Sequence, residues 1–331
     1  MKTLKELAHL TGFSPATLSR VLNKSNDVNE ATRRGVEEAL NRIGYEHIRS
    51  ERKKAFRKTV LIVAGESASL YHTKLYAKLS ERLRLAGILP FLAISDFEEA
   101  REEEYVSFAQ DKGFGGIVMT TAMETPRLKR LVEKSPCPIV LVNRPLRSTD
   151  TDVVHTDNYR AGYIAAAHFL ERGHGKFICI SGGMKSSSSQ DRVSGFVDAL
   201  KDVDTNGSDW LVWDGDFNYA SGQRFGAEYA AGYRKYTAVF CVNEAMARGF
   251  AEVVLEAGLK IPDDVSVICM TAEPVVINEK LALTCVVNNA ELFGETAAQM
   301  LVDRMNGLDV APRKIVYPPQ LCTRDSVRNL S

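Results

Sequence analysis

The sequence lacks the short motifs by which common enzyme classes are identified. It contains no G-x-S-x-G nucleophile elbow, no Walker phosphate-binding loop and no G-x-G-x-x-G after its first apolar run. Its six histidines are scattered, without the spacing that a metal site requires. A run of serines at 186–189 has no neighbouring base, so we interpret it as a flexible loop. These absences predict a protein that is not an enzyme and that uses neither a cofactor nor a metal.

Cysteine pairs and long apolar runs are absent as well. The six cysteines, none of them in a C-x-x-C pair, are Cys137, Cys179, Cys241, Cys269, Cys285 and Cys322. Four of them fall inside strand-like apolar runs, which indicates reduced core residues of a cytosolic protein. No signal peptide precedes residue 3, and no apolar run is long enough to span a membrane. We therefore expect a cytoplasmic protein.

Neither sign of charge is in excess overall, because 42 Lys and Arg balance 42 Asp and Glu. The distribution is nevertheless uneven. Residues 1–59 carry 13 Lys and Arg against 7 Asp and Glu, a net charge of +6, so the remainder carries −6. A basic segment attached to an acidic body favours a segment that binds phosphates, as in DNA.

The first 44 residues have the pattern of three short helices. Thr3 begins the first helix as half of a capping box, and Gly12 ends it. Ser14 stands at the N-cap of the second helix with Pro15 at its first position, and Asn29 caps the third. The apolar stripes of the three helices are Leu4, Leu7 and Ala8, then Leu18, Val21 and Leu22, then Val36, Leu40 and Ile43. Two short helices joined by a glycine turn and backed by a third predict a helix-turn-helix.

After a charged linker at 46–58, apolar β-branched runs alternate with helical stretches such as 74–86 and 99–111. The first series of runs is TVLIVA (59–64), ILPFLAI (88–94), GGIVMTT (115–121) and PIVLV (138–142), and the second is KFICIS (176–181), AVFCV (238–242) and VSVIC (265–269). Such runs are typical of buried parallel strands. Repeated βαβ units predict a doubly wound sheet, and two series in 331 residues predict two lobes.

The run LKELAHLTGFSPATLSRVLN (4–23) resembles the N-terminal signature of the LacI/GalR family of bacterial transcription regulators. The resemblance continues through DNYRAGYIAAAHFLERGHGKFICISG (157–182), Arg192 before Gly195-Phe196, GDFNYASG (215–222), AVFCVNEAMARG (238–249) and IPDDVSVICM (261–270). It implies an N-terminal all-α helix-turn-helix domain and an α/β two-lobed core like that of periplasmic sugar-binding proteins. The implied boundaries are 1–46 for the DNA-binding domain, 47–58 for the hinge and 59–331 for the effector-binding and dimerisation core, with an N-lobe of 59–157 and 289–317 and a C-lobe of 158–288 and 318–331.

The resemblance also implies which residues contact DNA. A recognition helix reads the major groove through its N-terminal residues. Pro15 and Ala16 occupy the positions that vary most with operator sequence, and Ala16 suits a thymine methyl group. Arg20 suits a bidentate pair with guanine, with a phosphate contact as the alternative. The predicted DNA-binding residues are Thr3, Ser14, Pro15, Ala16, Thr17, Ser19, Arg20, Asn23, Asn29, Ile48 and Arg49.

The hinge departs from the family pattern, in which a leucine wedges into the minor groove. After Gly44-Tyr45 the sequence reads EHIRSERKK, about three residues short, and Glu51 stands near the position of that leucine. A carboxylate is repelled by DNA, which leaves Ile48 as the wedge candidate. Arg49 matches part of the pattern and adds nonspecific attraction.

In a two-lobed fold the effector lies at the C-terminal ends of the strands, so loops after strands supply the candidates. The resemblance adds Arg192 and Phe217, which match an arginine and an aromatic residue of the family's cleft, and it implies an aromatic residue after the first strand. The predicted effector-binding residues are Tyr71, His72, Asn143, Arg192, Phe217, Asn243, Glu244 and Thr271. Thr271-Ala272-Glu273 replaces the Asp-Asp pair that normally grips sugar hydroxyls, unless Glu273 substitutes for it. The mixture suits a sugar or glycoside best. A nucleoside, or an anionic ligand such as a phosphorylated sugar held by Arg192, remains open.

Together these features predict a nucleoid-associated repressor that binds a pseudopalindromic operator as a homodimer and responds allosterically to a small molecule, with no membrane contact. Helix 74–86, with Leu75, Leu79 and Leu83 on one face, is the predicted dimer element, and ordinary core packing is the alternative for that stripe. The competing functional hypothesis is a sugar- or nucleoside-binding module without DNA regulation. DNA binding that weakens steeply with salt distinguishes the two.

Overall fold

The computed structural model divides the chain by its internal contacts into two compact units, Met1–Arg57 and Lys58–Ser331, here named the head and the body. The described residues are 4–22, 27–43, 56–67, 69–203, 209–279 and 281–331. Thr3, Asn23, Ile48 and Arg49 lie outside the described residues, as does most of the predicted hinge. Their predicted DNA contacts therefore stay predictions.

The head is a small helical bundle whose helix starts are set by side-chain caps. Its described helices are α1 (Leu4–Thr11), α2 (Pro15–Leu22) and α3 (Glu30–Arg42). Ser14 Oγ accepts a hydrogen bond from the Thr17 amide at 3.0 Å, and Asn29 Oδ1 accepts one from the Thr32 amide at 2.8 Å. Each cap satisfies an amide that has no partner within its own helix. The predicted starts of α2 and α3 are confirmed.

The three helices bury one apolar cluster. Its buried members are Leu7, Leu18, Val21, Val36 and Leu40. All five belong to the predicted apolar stripes, so the 3.6-residue periodicity identified the inner face of each helix. Leu4 is the exception on the inner face of α1: it stands in the first turn of that helix and is 41% exposed.

The body is built from strands connected by helices. Its strands in chain order are β1 (Thr59–Ala64), β2 (Leu89–Ile94), β3 (Gly116–Met119), β4 (Ile139–Val142), β5 (Asp152–Thr156), β6 (Lys176–Ile180), β7 (Asp209–Trp213), β8 (Ala238–Cys241), β9 (Ser266–Thr271), β10 (Val275–Asn278), β11 (Leu281–Val287), β12 (Lys314–Tyr317) and β13 (Gln320–Cys322). Its described helices are α4 (Leu70–Leu85), α5 (Glu99–Lys112), α6 (Pro126–Glu133), α7 (Asn158–Glu171), α8 (Ser187–Val203), α9 (Tyr219–Glu228), α10 (Glu244–Glu256) and α11 (Ala290–Met305), with a π-helical turn at Tyr229–Tyr233.

The strands form two sheets, each the centre of one lobe. The first lobe has the order β12-β5-β4-β3-β1-β2, and all neighbours are parallel. The second lobe has the order β10-β11-β9-β8-β6-β7, with β13 also paired to β11. Both β10 and β13 run antiparallel to β11, and the remaining neighbours are parallel. The shared winding β5-β4-β3-β1-β2 and β11-β9-β8-β6-β7 confirms the predicted doubly wound α/β architecture.

The chain passes between the lobes three times. Strand β5 of the first lobe is followed by α7, which packs against α8, and β11 of the second lobe is followed by α11, which packs against α4. The third passage joins β12 to β13. Three separate connections therefore join the two lobes.

Strand β2 departs from the sequence prediction. The run ILPFLAI was predicted to be a buried strand, but β2 lies at the edge of the first sheet. Leu89 is 54% exposed, Phe91 42% and Leu92 48%. By contrast, every residue of the inner strand β1 is buried. An apolar run does not by itself distinguish an inner strand from an edge strand whose outer side is free.

Two predicted surface features are buried instead. Leu75, Leu79 and Leu83 are fully buried in the core that α4 shares with α11, so this stripe is core and not a dimer element. The serines at 186–189 are buried at the start of α8, so their interpretation as a flexible loop is wrong. Their hydroxyl groups are satisfied within the protein; for example, Ser189 Oγ accepts a hydrogen bond from the Gly182 amide at 2.8 Å.

Candidate effector pocket and DNA-binding face

The predicted DNA-contacting residues of the head lie mainly on one exposed surface. The exposed residues of α2 and its cap are Ser14, Pro15, Ala16 and Arg20. Thr17 and Ser19 are half-buried, and Asn29 is exposed at the start of α3 with its side-chain oxygen used as a cap. Ser14 Oγ also lies 2.8 Å from Thr17 Oγ1. These two hydroxyl groups therefore have a structural role in addition to the predicted phosphate contacts.

All eight predicted effector-binding residues line a single cavity between the two lobes. The cavity encloses about 580 Å³ of empty volume, counting the space open to solvent at its mouth. Its walls are formed by segments that follow parallel strands, including those after β1, β4, β7 and β8, and by the first turns of α8. In doubly wound folds this is the edge at which ligands bind.

Two phenylalanines bridge the lobes across this cavity. Phe97 follows β2 in the first lobe, Phe217 follows β7 in the second, and their rings stack at 6.0 Å between centroids with a 28° angle between planes. Each ring lies against a glycine of its own lobe. A Cβ added to Gly65 would lie 2.0 Å from the Phe97 ring, and one added to Gly182 would lie 2.2 Å from the Phe217 ring. The absence of a side chain at these two positions makes room for the bridge.

The backbone at the cavity adopts an unfavourable conformation at three residues. Phe97, Asn143 and Phe217 have φ values of 59°, 63° and 67°. Asparagine tolerates this left-handed region, but a bulky phenylalanine seldom occupies it. Residues held in such conformations cluster at ligand sites, because the surrounding structure must compensate for the strain. The strain supports a functional role for this cavity.

Arg192 lies at the base of the cavity and is held by neutral groups. Its Nε donates to Asn158 Oδ1 at 2.8 Å, and its Nη1 donates to the carbonyl oxygen of Val242 at 2.6 Å. Burial, with a smaller contribution from the charge of Arg144, lowers the pKa of Arg192 to about 10, although the charges of Tyr71 and Asp191 oppose the shift. The guanidinium remains a cation at neutral pH.

The carboxylate of Glu66 faces His72 at the other side of the cavity. Glu66 Oε1 lies 2.5 Å from His72 Nδ1, and Ser69 Oγ lies 2.8 Å from the same nitrogen. Burial opposes ionisation of Glu66, but the hydrogen bond and charge of His72 outweigh it and lower the pKa to about 2. The His72 ring stacks on Tyr76 at 5.6 Å. The pair fixes the orientation of the imidazole toward the cavity.

Asn243, Glu244 and Thr271 line the cavity but bond to other protein groups. Asn243 Oδ1 caps α10 by accepting from the Met246 amide, and its Nδ2 donates to the carbonyl oxygen of Phe217 at 2.7 Å. Glu244 accepts hydrogen bonds from Arg248 Nε at 2.8 Å and from Thr271 Oγ1 at 2.9 Å. These contacts hold the Phe217 loop and the cavity wall in place.

Three buried oxygens of the cavity have no hydrogen-bond partner in the described structure: Tyr71 Oη, Asn143 Oδ1 and Asn288 Oδ1. Leaving a buried polar atom unpaired costs about 1–3 kcal/mol, so native proteins seldom do so without a functional reason. Three such atoms in one cavity indicate a surface prepared to bind hydroxyl or amino groups.

Glu273 does not replace the missing Asp-Asp pair. Its carboxylate forms an ion pair with Lys74, and it is not among the residues that line the cavity. The reason is the path of the chain after β9, which turns Glu273 toward the start of α4 and away from the cleft. The hypothesis that Glu273 grips sugar hydroxyls is therefore wrong.

The sequence-based set omitted several residues that line the cavity, chiefly Glu66, Phe97, Arg144 and Asn288. Arg144 directly follows Asn143, and Glu66 and Asn288 also follow strands that end at the cleft. Applying the strand-end rule to every strand would have found these three. Phe97 lies three residues beyond an edge strand, and no local signal marked it.

No group of three or more metal-ligating side chains occurs within the described residues. Across the same residues, no helix is long and apolar enough to cross a membrane.

A helix-turn-helix head and a cleft between two doubly wound lobes define a class of protein: a transcription regulator with a ligand-binding body. The model for bacterial regulatory proteins of the lacI family matches residues 3–47, and that for the periplasmic binding protein-like domain matches residues 166–327. Similar curated proteins include the HTH-type transcriptional repressors PurR of Photobacterium profundum, 28% identical over 335 residues, and of Vibrio vulnificus, 25% identical over 335 residues. Both alignments cover 100% of each chain.

Solved structures agree on the fold along almost the entire chain. The transcriptional regulator CelR in complex with cellobiose is 26% identical, with a TM-score of 0.72, and the match covers 98% of this chain and 100% of that one. The lac repressor dimer bound to operator and the anti-inducer ONPF is 19% identical with a TM-score of 0.69, covering 98% and 99%. The chain belongs to the LacI family of DNA-binding transcription regulators. Its relatives are repressors and not enzymes, in agreement with the sequence-based prediction.

Proposed function

We propose that this protein is a repressor that binds a pseudopalindromic operator as a homodimer, in the bacterial cytoplasm and in association with the nucleoid. A sugar or glycoside bound between the two lobes controls its affinity for the operator. One observation carries the proposal: all eight effector residues predicted from the sequence converge on one cavity, in a chain whose first domain matches a DNA-binding family.

The exposed face of α2 supports a role in operator recognition. Arg20 provides a guanidinium for a guanine or a phosphate, and Ala16 provides a methyl group for a thymine contact. Both side chains are exposed because the opposite face of α2 is buried through Leu18 and Val21. A homodimer presents two such helices, which explains the choice of a pseudopalindromic site.

The unpaired oxygens of the cavity support a hydroxyl-rich effector. Tyr71 Oη, Asn143 Oδ1 and Asn288 Oδ1 are acceptors for hydroxyl donors, and the buried guanidinium of Arg192 donates to hydroxyl or oxyanion oxygens. The aromatic rings near these atoms offer apolar faces of the kind that sugar rings pack against. A relative, CelR, is described in complex with cellobiose.

Contacts across the mouth of the cleft suggest how binding is coupled to DNA affinity. Lys185 of the second lobe pairs with Glu99 of the first at 2.6 Å, Ser187 Oγ donates to the carbonyl oxygen of Pro145 at 2.8 Å, and Arg147 pairs with Asp191. A ligand that favours this closed arrangement changes the distribution of the lobes between open and closed states. The coupling is reciprocal: a ligand that weakens DNA binding is itself bound less tightly by the DNA complex.

The exposed side of β2 supports a homodimer. Its apolar residues, together with neighbouring ones on α4 and α5, are Leu85, Leu89, Phe91, Leu92 and Phe108. Exposed apolar side chains along and beside an edge strand can pair with another chain. A second copy of this chain is the partner that the proposed operator symmetry requires.

Two measurements on the purified full-length chain test the proposal. Selection of bound fragments from random double-stranded DNA should enrich an inverted repeat, and its affinity should fall steeply with salt. Thermal unfolding against a panel of sugars and glycosides should identify the effector, since a ligand at ~100 times its Kd adds about 2.7 kcal/mol of stability. An effector without any DNA selectivity would favour the alternative, a ligand-binding module without DNA regulation.

A further inference from the structure

Two buried guanidinium groups share the effector cavity, and within the described residues neither is paired with a carboxylate. Arg144 is 5% exposed and Arg192 is 4% exposed. Arg144 Nη1 donates to Thr121 Oγ1 at 3.2 Å, and Arg192 is bonded to an amide and a carbonyl oxygen. In the part of the chain that the structure describes, no carboxylate oxygen lies within 4.0 Å of either group. Buried charges are normally paired, so this arrangement is unusual.

The two carboxylates that line the cavity, and a third one near Arg144, are hydrogen-bonded to other groups. Glu66 is bonded to His72, and Glu244 is bonded to Arg248. Behind Arg144, Glu102 accepts hydrogen bonds from Thr121 Oγ1 at 2.6 Å and from the Met123 amide at 2.8 Å. Burial raises the pKa of Glu102, although its hydrogen bonds and the charge of Arg144 oppose the increase. Within the described residues, the two guanidinium groups therefore line the cavity without a carboxylate hydrogen-bonded to either of them.

The charges of both guanidinium groups affect the pKa of the Tyr71 hydroxyl. Burial raises the pKa of that phenol strongly, and both Arg192 and Arg144 oppose the increase. The charge of Arg144 also lowers the pKa of Arg192. Two buried cations and an unpaired hydroxyl that line the same cavity form a site that an anion would stabilise.

The aromatic bridge leaves the polar edge of Arg144 available. Its guanidinium carbon lies 4.9 Å from the Phe97 centroid and 4.6 Å from the Phe217 centroid. Neither ring accepts a conventional hydrogen bond, so the polar contacts of the guanidinium within the described residues are those from Nη1 to Thr121 Oγ1 and to Met123 Sδ. Planar, fixed N–H groups are suited to the two oxygens of a carboxylate or to a phosphate.

We infer that the effector is a hydroxylated acid, a sugar or polyol that carries a carboxylate or a phosphate, whose oxyanion is bound by Arg144 and Arg192. Its hydroxyl groups bond to the unpaired oxygens of Tyr71, Asn143 and Asn288. The inference rests on the proposed function, because it specifies the ligand of the same cavity.

Matched ligand pairs test this inference on the full-length protein. Glucuronate is compared with glucose, galacturonate with galactose, gluconate with glucitol, and glucose 6-phosphate with glucose, first by thermal unfolding and then by calorimetry. Inorganic phosphate and acetate control for simple ion binding. At least one acid is expected to bind about 100-fold more tightly than its neutral counterpart. The pair that does so distinguishes a carboxylate from a phosphate.

Substitutions test whether Arg144 and Arg192 cause the preference for the acid. Arg144→Gln and Arg192→Gln should each weaken binding of that acid at least tenfold and reduce its preference over the neutral partner, whereas Arg144→Lys should keep part of the preference. Arg127→Gln, at an exposed arginine of the same lobe, is the matched control and should change nothing. Circular dichroism and DNA binding without ligand verify that each variant is folded.

The inference and the proposed function fail in different ways. Neutral sugars that bind as tightly as their acids, or an acid preference that survives Arg144→Gln, overturn the inference and leave an effector-controlled repressor intact. Absence of binding by every acid also overturns it. If the unsubstituted protein shows no selective DNA binding, the proposed function is overturned instead.

Discussion

Substitution of Gly182 by alanine probes the aromatic bridge directly. A Cβ at this position would lie 2.2–2.4 Å from three ring atoms of Phe217, closer than real contacts allow. The ring is buried, so it cannot rotate into solvent without losing its stacking on Phe97 and its contact with Arg144. Overpacking of this kind costs roughly 1–3 kcal/mol. For a body of this size, that corresponds to a decrease in Tm of about 2–12 °C.

The assay is a double-mutant cycle measured by denaturant unfolding and by effector binding. Gly182→Ala should destabilise the protein and weaken effector binding, because the displaced ring disturbs Arg144. In a Phe217→Ala background the same glycine substitution should leave the free energy of unfolding almost unchanged, since the ring with which the new Cβ would clash is absent. The coupling energy should therefore be about 1–3 kcal/mol. Gly175→Ala is the control, because a Cβ there has no atom within 4 Å.

Two results would refute the reasoning. One is a loss of stability on Gly182→Ala substitution that is the same with and without the Phe217 ring, since the clash would then involve other atoms. The other is a Gly182→Ala protein with unchanged stability and unchanged effector affinity, since the bridge would then have no role in holding the cavity.

Further predictions concern stability, DNA recognition and assembly. Asp152→Ala should cost roughly 3–5 kcal/mol in urea unfolding, because Asp152 is buried between Arg304 and Arg313 at 2.9 Å from each. Although burial opposes ionisation of Asp152, these partners lower its pKa. Its contribution to stability is therefore present above about pH 3.9 and is lost as the pH falls below that value. A stability difference between the original protein and the Asp152→Ala variant that persists in acid would contradict this. Arg20→Ala should weaken operator binding by about 1–3 kcal/mol in fluorescence anisotropy if Arg20 reads a base, whereas an unchanged preference for operator over random DNA would reduce it to a phosphate contact. Leu92→Asp should shift sedimentation from dimer to monomer without a loss of secondary structure, and a stable dimer would place the interface elsewhere.

Local sequence signals decided the local structure. The caps at Ser14 and Asn29 were visible in the sequence because a cap is a contact between residues three apart. Burial of Leu18 and Val36 followed from helical periodicity. The doubly wound class followed from alternating strands and helices. Eight positions, chosen from segments after strands and from the family resemblance, were enough to outline the cavity.

Only the tertiary structure decided what depends on contacts between distant segments. The exposure of β2 is a matter of strand order, which the composition of ILPFLAI does not contain. The same is true of Leu75, whose burial depends on α11, more than 200 positions later in the chain. Arg144 acquired its importance because Phe97 and Phe217, from different lobes, meet beside it. A sequence records which charges exist, whereas the fold determines which of them are left without a counterion.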